Sequence, residues 1–560
     1  MTFLSNLAPR LPREIPGFYY DEEKKRYFKI EAHPTAPANA AWAAGNVKKR
    51  KAEKAQAQQK RKRQEKLKGC IKRPNLLAHP LAGGRLLREF GVVDPELPVE
   101  SWTAGLRRKG DVSFWPGQEQ NPDAAGISCL LVEGGDETAG LGMAYAAVDG
   151  RQLTGSYLPT DKDEKINFGI TQRMRASRLS ALRGEAIQDD ITSISYHHAS
   201  HTMIVTSTTT SGPDGSSRGK INLFQPARPS DLGEGDWEGH FLQQYGGRRP
   251  TWLLGDTGAY VSYTSPVRGL TMNASRACPA SGSGSGGLDA LIATSHGIMC
   301  VDGSRAGSEV SWVTPKPPGG PGPHQNHRNH NHHQHGGGGI RDVFGVDYHP
   351  SNPRICYAGC RDARVLRVDT RAPPSSPGAG WDSLFRHRSS AAHVRCLDDH
   401  RVLVAGPRSA MAIYDTRWAR PRRSGGGGGS GNSSNDRNYN SAQPVVQFAG
   451  YNNEAHVRIG LDVTHGVGGC GGLGGGGVVA AGLGDGGVGI FSLRTGRRLR
   501  AGDVDDPLVL RAPGAGGGGG VVKTLQFQRL PWEKETSLFV AVGPVVRKFT
   551  FGVEDGEDEW

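Results

Sequence analysis

Short apolar blocks, each followed by a tight polar turn and a second apolar run, recur along this chain. Ile204-Val205, Cys356-Tyr-Ala-Gly359, Val402-Leu-Val-Ala-Gly406 and Val478-Val-Ala-Ala-Gly482 are the first members of four such pairs. The second member is most regular at Asp362-Ala-Arg-Val-Leu-Arg-Val-Asp-Thr-Arg371, and its frame returns at Asp485-Gly-Gly-Val-Gly-Ile-Phe-Ser-Leu-Arg494. Arg408-Ser-Ala-Met-Ala-Ile-Tyr-Asp-Thr-Arg417 keeps the ending, and Arg218-Gly-Lys-Ile-Asn-Leu-Phe224 keeps the turn and the strand. Two strands joined by a turn cannot bury both faces alone, so the recurrence predicts a repeat fold whose units cover one another.

Seven groups of this kind can be laid out between residues 126 and 555. They run Ile127–Val148, Ile191–Phe224, Val267–Val301, Val343–Arg371, Val394–Arg417, His456–Arg494 and Thr524–Phe549. Within them, Val267–Met272 and His456–Ile459 read as the opening strands of the third and sixth groups. The count predicts an all-β propeller of about seven four-stranded blades. Residues 76–125 read as an irregular linker in which Asp111–Trp115 is a strand candidate. Low-complexity inserts (Gly282–Gly286, Pro315–Gly339, Ser424–Asn440, and glycine tracts near Gly471 and Gly516) are expected to be disordered loops, because they bury too little apolar surface to offset their ordering entropy.

Charge changes the picture at one end only. Residues 1–73 hold 19 of the 68 Lys+Arg and 7 of the 55 Asp+Glu, so nearly all of the formal charge of +13 lies there. This N-terminal arm, residues 1–75, contains two predicted elements. Aromatic residues on both sides of a charged connection predict a hairpin over 15–30, and the Ala-, Lys-, Gln-rich stretch 40–68 predicts a helix. The helix carries two basic clusters, Lys48-Lys49-Arg50-Lys51 and Lys60-Arg61-Lys62-Arg63, whose spacing suits nuclear import or contact with nucleic-acid phosphates. They place the protein in the nucleus, or shuttling between nucleus and cytoplasm.

The eight cysteines show no paired metal spacing, and the N-terminus lacks the apolar core of a secretory signal, which points to a reducing, intracellular setting. No apolar run is long enough to span a membrane. The histidines of the 315–339 insert (His324, His327, His330, His332, His333 and His335) sit among Gly, Asn and Gln with nothing rigid to hold a ligand geometry, so no metal is assigned to them. His197, His198, His201, His393 and His456 read as structural. The glycine tracts lack the Lys-Ser/Thr ending of a phosphate loop, and neither a Gly-x-Ser-x-Gly elbow nor His-Glu-x-x-His occurs. The chain therefore reads as non-catalytic and cofactor-free.

The endings Val368-Asp369-Thr-Arg371 and Tyr414-Asp415-Thr-Arg417 resemble the Trp-Asp-x-Arg blade ending of WD-repeat propellers. Asp362 and Asp485 match that family's turn aspartate. Val368, Tyr414 and Phe491 stand where the family has Trp, so its His-Ser-Asp-Trp hydrogen-bond network cannot be complete here. Pro16-Gly-Phe-Tyr-Tyr-Asp21 with Arg26-Tyr-Phe28, the basic helix, and Gly450-Tyr-Asn-Asn-Glu-Ala-His456 make the chain similar to the cullin-4-associated WD-repeat factors, the substrate receptors of cullin-4 ubiquitin ligases. The resemblance covers the arm and the last four blades; residues 75–190 and the inserts have no counterpart. It implies docking onto the ligase's large adaptor through Asp369 with Arg371 and Asp415 with Arg417, and presentation of a protein substrate on another face. Ser492 replaces the Asp in the third copy, so Arg494 does not carry over equally. The alternative is a nuclear RNA- or chromatin-associated scaffold held by the basic arm.

Overall fold

The computed structural model describes residues 15–21, 24–30, 44–69, 96–114, 126–136, 141–158, 160, 163–166, 182–186, 189–209, 216–226, 261–279, 288–303, 309–314, 340, 342–372, 381–419, 442–467, 476–511, 520–531 and 533–552. The five low-complexity inserts, including the six insert histidines, lie outside them. The chain divides into two compact units, residues 1–83 and 84–560.

In the first unit, strands Phe18–Asp21 and Arg26–Lys29 pair antiparallel, with Tyr19 opposite Phe28 and Tyr20 opposite Tyr27. The Tyr20 and Tyr27 rings meet at 4.8 Å between centroids, and Lys24 Nζ sits 5.8 Å from the centre of the Phe28 ring. Helix α1 runs Ala44–Gly69 and carries no acidic residue in its first turn. It is tied to the hairpin through Arg50, whose Nη1 donates to the Tyr19 hydroxyl at 2.7 Å.

The second unit is a seven-bladed β-propeller of four-stranded antiparallel sheets. Blade 1 comprises Ile127–Asp136, Leu141–Val148, Gln152–Leu158 and Leu182–Ala186; blade 2, Asp190–His197, Thr202–Thr209, Arg218–Phe224 and Val261–Thr264. Blade 3 is Met272–Ala277, Asp289–Thr294, Gly297–Asp302 and Glu309–Trp312; blade 4, Val343–His349, Asn352–Cys360, Arg364–Asp369 and Trp381–Arg386. Blade 5 is His393–Cys396, Arg401–Gly406, Ala410–Asp415 and Val446–Gln447; blade 6, Leu461–Thr464, Val478–Gly482, Val488–Ser492 and Arg498–Leu499. Blade 7 takes Leu525–Gln528, Ser537–Val542 and Val545–Phe551 from the end of the chain, and its fourth strand, Leu106–Ser113, from before blade 1.

That closing strand corrects the reading of residues 76–125 as irregular linker. It pairs Leu106 with Phe551 and Ser113 with Val545 along the edge of the last blade. Ahead of it, helix α2 (Leu97–Ala104) buries Trp102 against Phe527, 6.2 Å between ring centroids. Two opening strands also differ from expectation. The third blade starts at Met272 rather than Val267, and the sixth at Leu461 rather than His456. In both places the expected segment is a loop with side chains packed inward: Leu270 and Ile459 are buried there, and burial alone reads as strand in a sequence.

Seven apolar clusters fill the seven blade-to-blade boundaries. For instance, Ile204, Ile221 and Leu223 of blade 2 pack on Met272, Leu291's neighbours Ala290 and Ile292, and Met299 of blade 3. Val112, Phe114, Phe539 and Val546 of blade 7 pack on Leu130, Val132, Ala144 and Ala146 of blade 1, which closes the ring. The middle strands are buried on both faces, as in Ser537–Val542 and Ala410–Asp415. Their apolar blocks are therefore continuous rather than alternating.

Polar side chains lace neighbouring inner strands. Asp347 of blade 4 accepts from Arg276 Nε of blade 3 at 3.0 Å and from the Cys396 N–H of blade 5 at 2.8 Å. Asp462 of blade 6 accepts the Phe527 N–H of blade 7 at 2.8 Å. Gln526 of blade 7 bonds both the N–H and the carbonyl of Val132 in blade 1, at 2.7 and 2.8 Å. In blade 7 a fully buried ion pair joins Lys548 to Glu533. Residues 163–166, between the third and fourth strands of blade 1, dock on blade 7: Lys548 donates to the Glu164 carbonyl, and the Ile166 N–H reaches Lys109 O at 2.9 Å.

Candidate protein-docking rim

In an antiparallel four-stranded blade, the turns after the first and third strands lie on one face. In blades 4 and 5 these turns carry both Asp-Thr-Arg endings. Asp369 Oδ1 accepts from the Arg371 backbone N–H at 3.0 Å and from Nε at 2.9 Å, while Oδ2 accepts from Nη2 at 2.6 Å. Asp415 holds Arg417 in the same way, at 2.9, 3.0 and 2.6 Å. The intervening threonines also repeat. Thr370 donates its N–H and hydroxyl to the Arg354 carbonyl, and Thr416 does so to the His400 carbonyl.

Each ending is thus a closed hook in which carboxylate and guanidinium meet side by side. The hydrogen-bonded Arg holds the carboxyl of Asp369, and likewise of Asp415, below the usual carboxylate range, and both arginines are pushed further up. The outer guanidinium edge is a different matter. Nη1 of Arg371 and of Arg417 has no hydrogen-bond partner among the described residues, and the two side chains are 59% and 61% exposed. A guanidinium fixed in plane with free outward donors loses little rotamer entropy on meeting an acceptor.

The third ending departs from this pattern. Ser492 Oγ accepts the Arg494 and Thr495 N–H groups at 3.2 and 3.3 Å, but a hydroxyl cannot clamp a guanidinium. This turn is also engaged by helix α2, through Thr495 to Glu96 and Arg497 to Glu100. The face of blade 6 is therefore partly covered where blades 4 and 5 are open.

Among the described residues, the turn aspartates bond within their own turns: Asp362 accepts from the Arg364 N–H and Nε, and Asp485 from the Gly487 N–H. Two of the histidines read as structural have partners of that kind, whereas His393 Nε2 is buried without a hydrogen-bond partner among the described residues. His197 Nδ1 meets Ser200 Oγ at 2.7 Å, and His201 Nε2 meets the Pro226 carbonyl at 2.6 Å. Lys48, Lys49, Arg50, Lys51, Lys60, Arg61 and Lys62 are exposed on helix α1, and Arg63 lies on the same helix.

Two features of the rim were not apparent from the sequence. Trp418, next to the second hook, is 80% exposed. A depression of about 430 Å³ is lined by Pro350, Asp398, Asp399, His400, Arg401 and the hook residue Arg417. An aromatic residue directly after Asp-Thr-Arg was the available signal, although exposure is decided by tertiary packing.

No protein-family model and no curated protein matches the chain. Among solved structures it is similar to the WD40 β-propeller domain of Doa1, at 10% identity and a TM-score of 0.40, covering 80% of this chain and 98% of that one. That superposition is loose, and the seven-bladed ring stands on the chain's own strand pairing.

Proposed function

We propose that this protein is a non-catalytic interaction scaffold, and that it serves as a substrate receptor of a cullin-4 ubiquitin ligase. The observation that carries the reading is the pair of identical hooks on blades 4 and 5, each presenting a pre-oriented guanidinium edge outward. In this role the propeller contributes position: it raises the local concentration of a target lysine near the conjugating enzyme. The ligase adaptor would occupy the hook-bearing rim, leaving other faces for the substrate. The test is binding of the purified adaptor to the full chain and to the Arg371→Ala, Arg417→Ala double variant. Loss of binding with an unchanged unfolding transition supports the reading; equal binding of both proteins removes it.

The exposed basic side chains of helix α1 favour a second reading, a nuclear scaffold retained on nucleic acid. Eleven Lys and Arg against two Glu on one helix make a dense positive rod. Deleting residues 44–68 should abolish retention on nucleic acid, and binding by the intact chain should fall steeply with salt. Retention that survives the deletion excludes the arm as the binding element.

A further inference from the structure

We propose that the axial channel of the propeller holds a small tetrahedral oxyanion, of the phosphate class, between Arg276 of blade 3 and Arg395 of blade 5. The inference is independent of the hooks and of the adaptor reading.

The first strand of each blade lies at one edge of its sheet, and these edges ring the axis. Arg276, Asp347, Arg395, Asp462 and Gln526 follow one another along the first strands of blades 3 to 7. Asp347, Asp462 and Gln526 each accept a backbone N–H from the next blade. Asp347 bonds the residue after Arg395, and Asp462 the residue after Gln526. Arg395 thus occupies in blade 5 the place that an acceptor occupies in blades 4, 6 and 7, and a guanidinium has no lone pair for that bond. Neighbouring first strands pack together around the ring, except that those of blades 5 and 6 stand apart among the described residues. Lacing the ring does not account for an arginine at this seam.

The hydrogen bonds show which kind of group is missing. Both oxygens of Asp347 are taken: Oδ1 accepts from Arg276 Nε at 3.0 Å and from the Tyr348 N–H at 3.1 Å, and Oδ2 from the Cys396 N–H at 2.8 Å. Arg276 is engaged through Nε alone, and its Nη1 and Nη2 have no hydrogen-bond partner among the described residues. Arg395 donates only Nη1, to the Val394 carbonyl at 3.1 Å. Its Nε is buried without a hydrogen bond, 4.0 Å from Asp462 Oδ1. Two residues earlier, and so on the same face of the strand, His393 Nε2 is also buried without a partner. Buried donors left unmade are costly, and a group of them marks an absent acceptor.

Exposure and charge agree with a channel wall. Water reaches 42% of the Arg276 side chain and 21% of that of Arg395. Burial, and then the charge of Arg276, lower the Arg395 pKa, so the two guanidinium groups feel each other. An anion between them removes that repulsion. Asp347 and Asp462 balance the two arginines, so the site has no surplus charge to gather a polyanion from solution; it offers a local set of donors. Blades 3 and 5 lie roughly 100° apart around the axis of a seven-bladed ring, so the two forks approach from different directions. A carboxylate presents its lone pairs in one plane, whereas a phosphate has oxygens to meet both forks.

The test is isothermal titration calorimetry of the full chain with inorganic phosphate and, separately, with acetate, at constant ionic strength. Wild type should bind phosphate at least about 10-fold more tightly than acetate, and Arg395→Gln should weaken phosphate binding by about 10-fold or more. Arg395→Lys keeps the charge opposite Asp462 and loses the planar fork, so it should fold as wild type does and still bind phosphate about 10-fold more weakly. Phosphate held by the basic arm would persist in both variants. Unchanged affinity in both, or no saturable phosphate binding by wild type, overturns the proposal. Equal affinity for acetate overturns the assignment to a tetrahedral oxyanion.

Discussion

His387 and Tyr414 meet across the boundary between blades 4 and 5, with Nδ1 and the phenol oxygen 2.9 Å apart. The Tyr414 hydroxyl donates to Nδ1, and Nε2–H donates to the Ala410 carbonyl at 3.3 Å, which defines a neutral imidazole. Phe385 stacks on the other side of Tyr414 at 4.3 Å between centroids. Tyr414 is thus packed between the two blades and holds a hydrogen bond of its own.

Burial lowers the His387 pKa to about 4, and that of His393 to about 3. A folded-state pKa below the unfolded value means that the unfolded chain binds protons first as pH falls. The stability from neutral imidazole is therefore complete above about pH 6.5 and is lost progressively down to about pH 4, by roughly 3 kcal/mol for His387. Glu133, raised by burial from 4.5 to about 8, acts in the opposite sense: its contribution is complete below about pH 4.5 and is lost progressively as pH rises to about 8. Denaturant midpoints at pH 7.5 and pH 5 should diverge less for His387→Gln than for wild type; an equal divergence contradicts this assignment.

The buried Lys548–Glu533 pair is expected to show a large cost when halved. Glu533 also accepts the Leu530 N–H and the Ser537 hydroxyl, at 3.0 and 2.9 Å, so it cannot swing away. Lys548→Met leaves that carboxylate desolvated without its counter-charge, and should destabilise the propeller by about 3–5 kcal/mol. Equilibrium urea denaturation measures it. A loss under about 1 kcal/mol would show that the pair is not closed in solution.

Removing the closing strand should be more damaging than removing the arm. A chain begun at residue 126 leaves the edge of Val545–Phe551 unpaired and the Trp102 site beside Phe527 empty. Exposed edges template aggregation, so this protein should elute from size-exclusion chromatography as aggregate. A chain begun at residue 90 should remain monodisperse.

Arg417 depends on Asp415 for its orientation. Asp415→Ala keeps the cation and frees its side chain, so adaptor affinity should fall by about 10-fold even though the Arg417 guanidinium is retained. Surface plasmon resonance against the adaptor reads the change; wild-type affinity in this variant would show that the clamp is dispensable.

What could be read in the sequence follows from where apolar residues are forced to be continuous. Val402–Gly406 and Val478–Gly482 are enclosed by neighbouring blades on both faces, so their blocks stand out. Outer strands have no such requirement. Leu106-Arg-Arg-Lys-Gly-Asp-Val-Ser113 is charged through its middle and bulged between Arg108 and Asp111, so only its end, within the strand candidate Asp111–Trp115, was legible. The hooks were legible as residues but not as closed pairs. Spacing by two says only that Asp and Arg share a turn, and the turn geometry decides whether they face each other. Trp418 was invisible as a site for a similar reason, since its neighbours Arg417 and Ala419 do not say whether tertiary packing covers the ring.

The strand that seals the ring is made before any blade, and the three strands it joins are made last. A ribosome releasing this chain from its first residue onward must therefore leave Leu106–Ser113 waiting while six sheets emerge, and closure becomes a post-translational event. During that wait the unfinished wheel exposes two raw flanks, so a chaperone that grips extended, basic segments would find its natural client there.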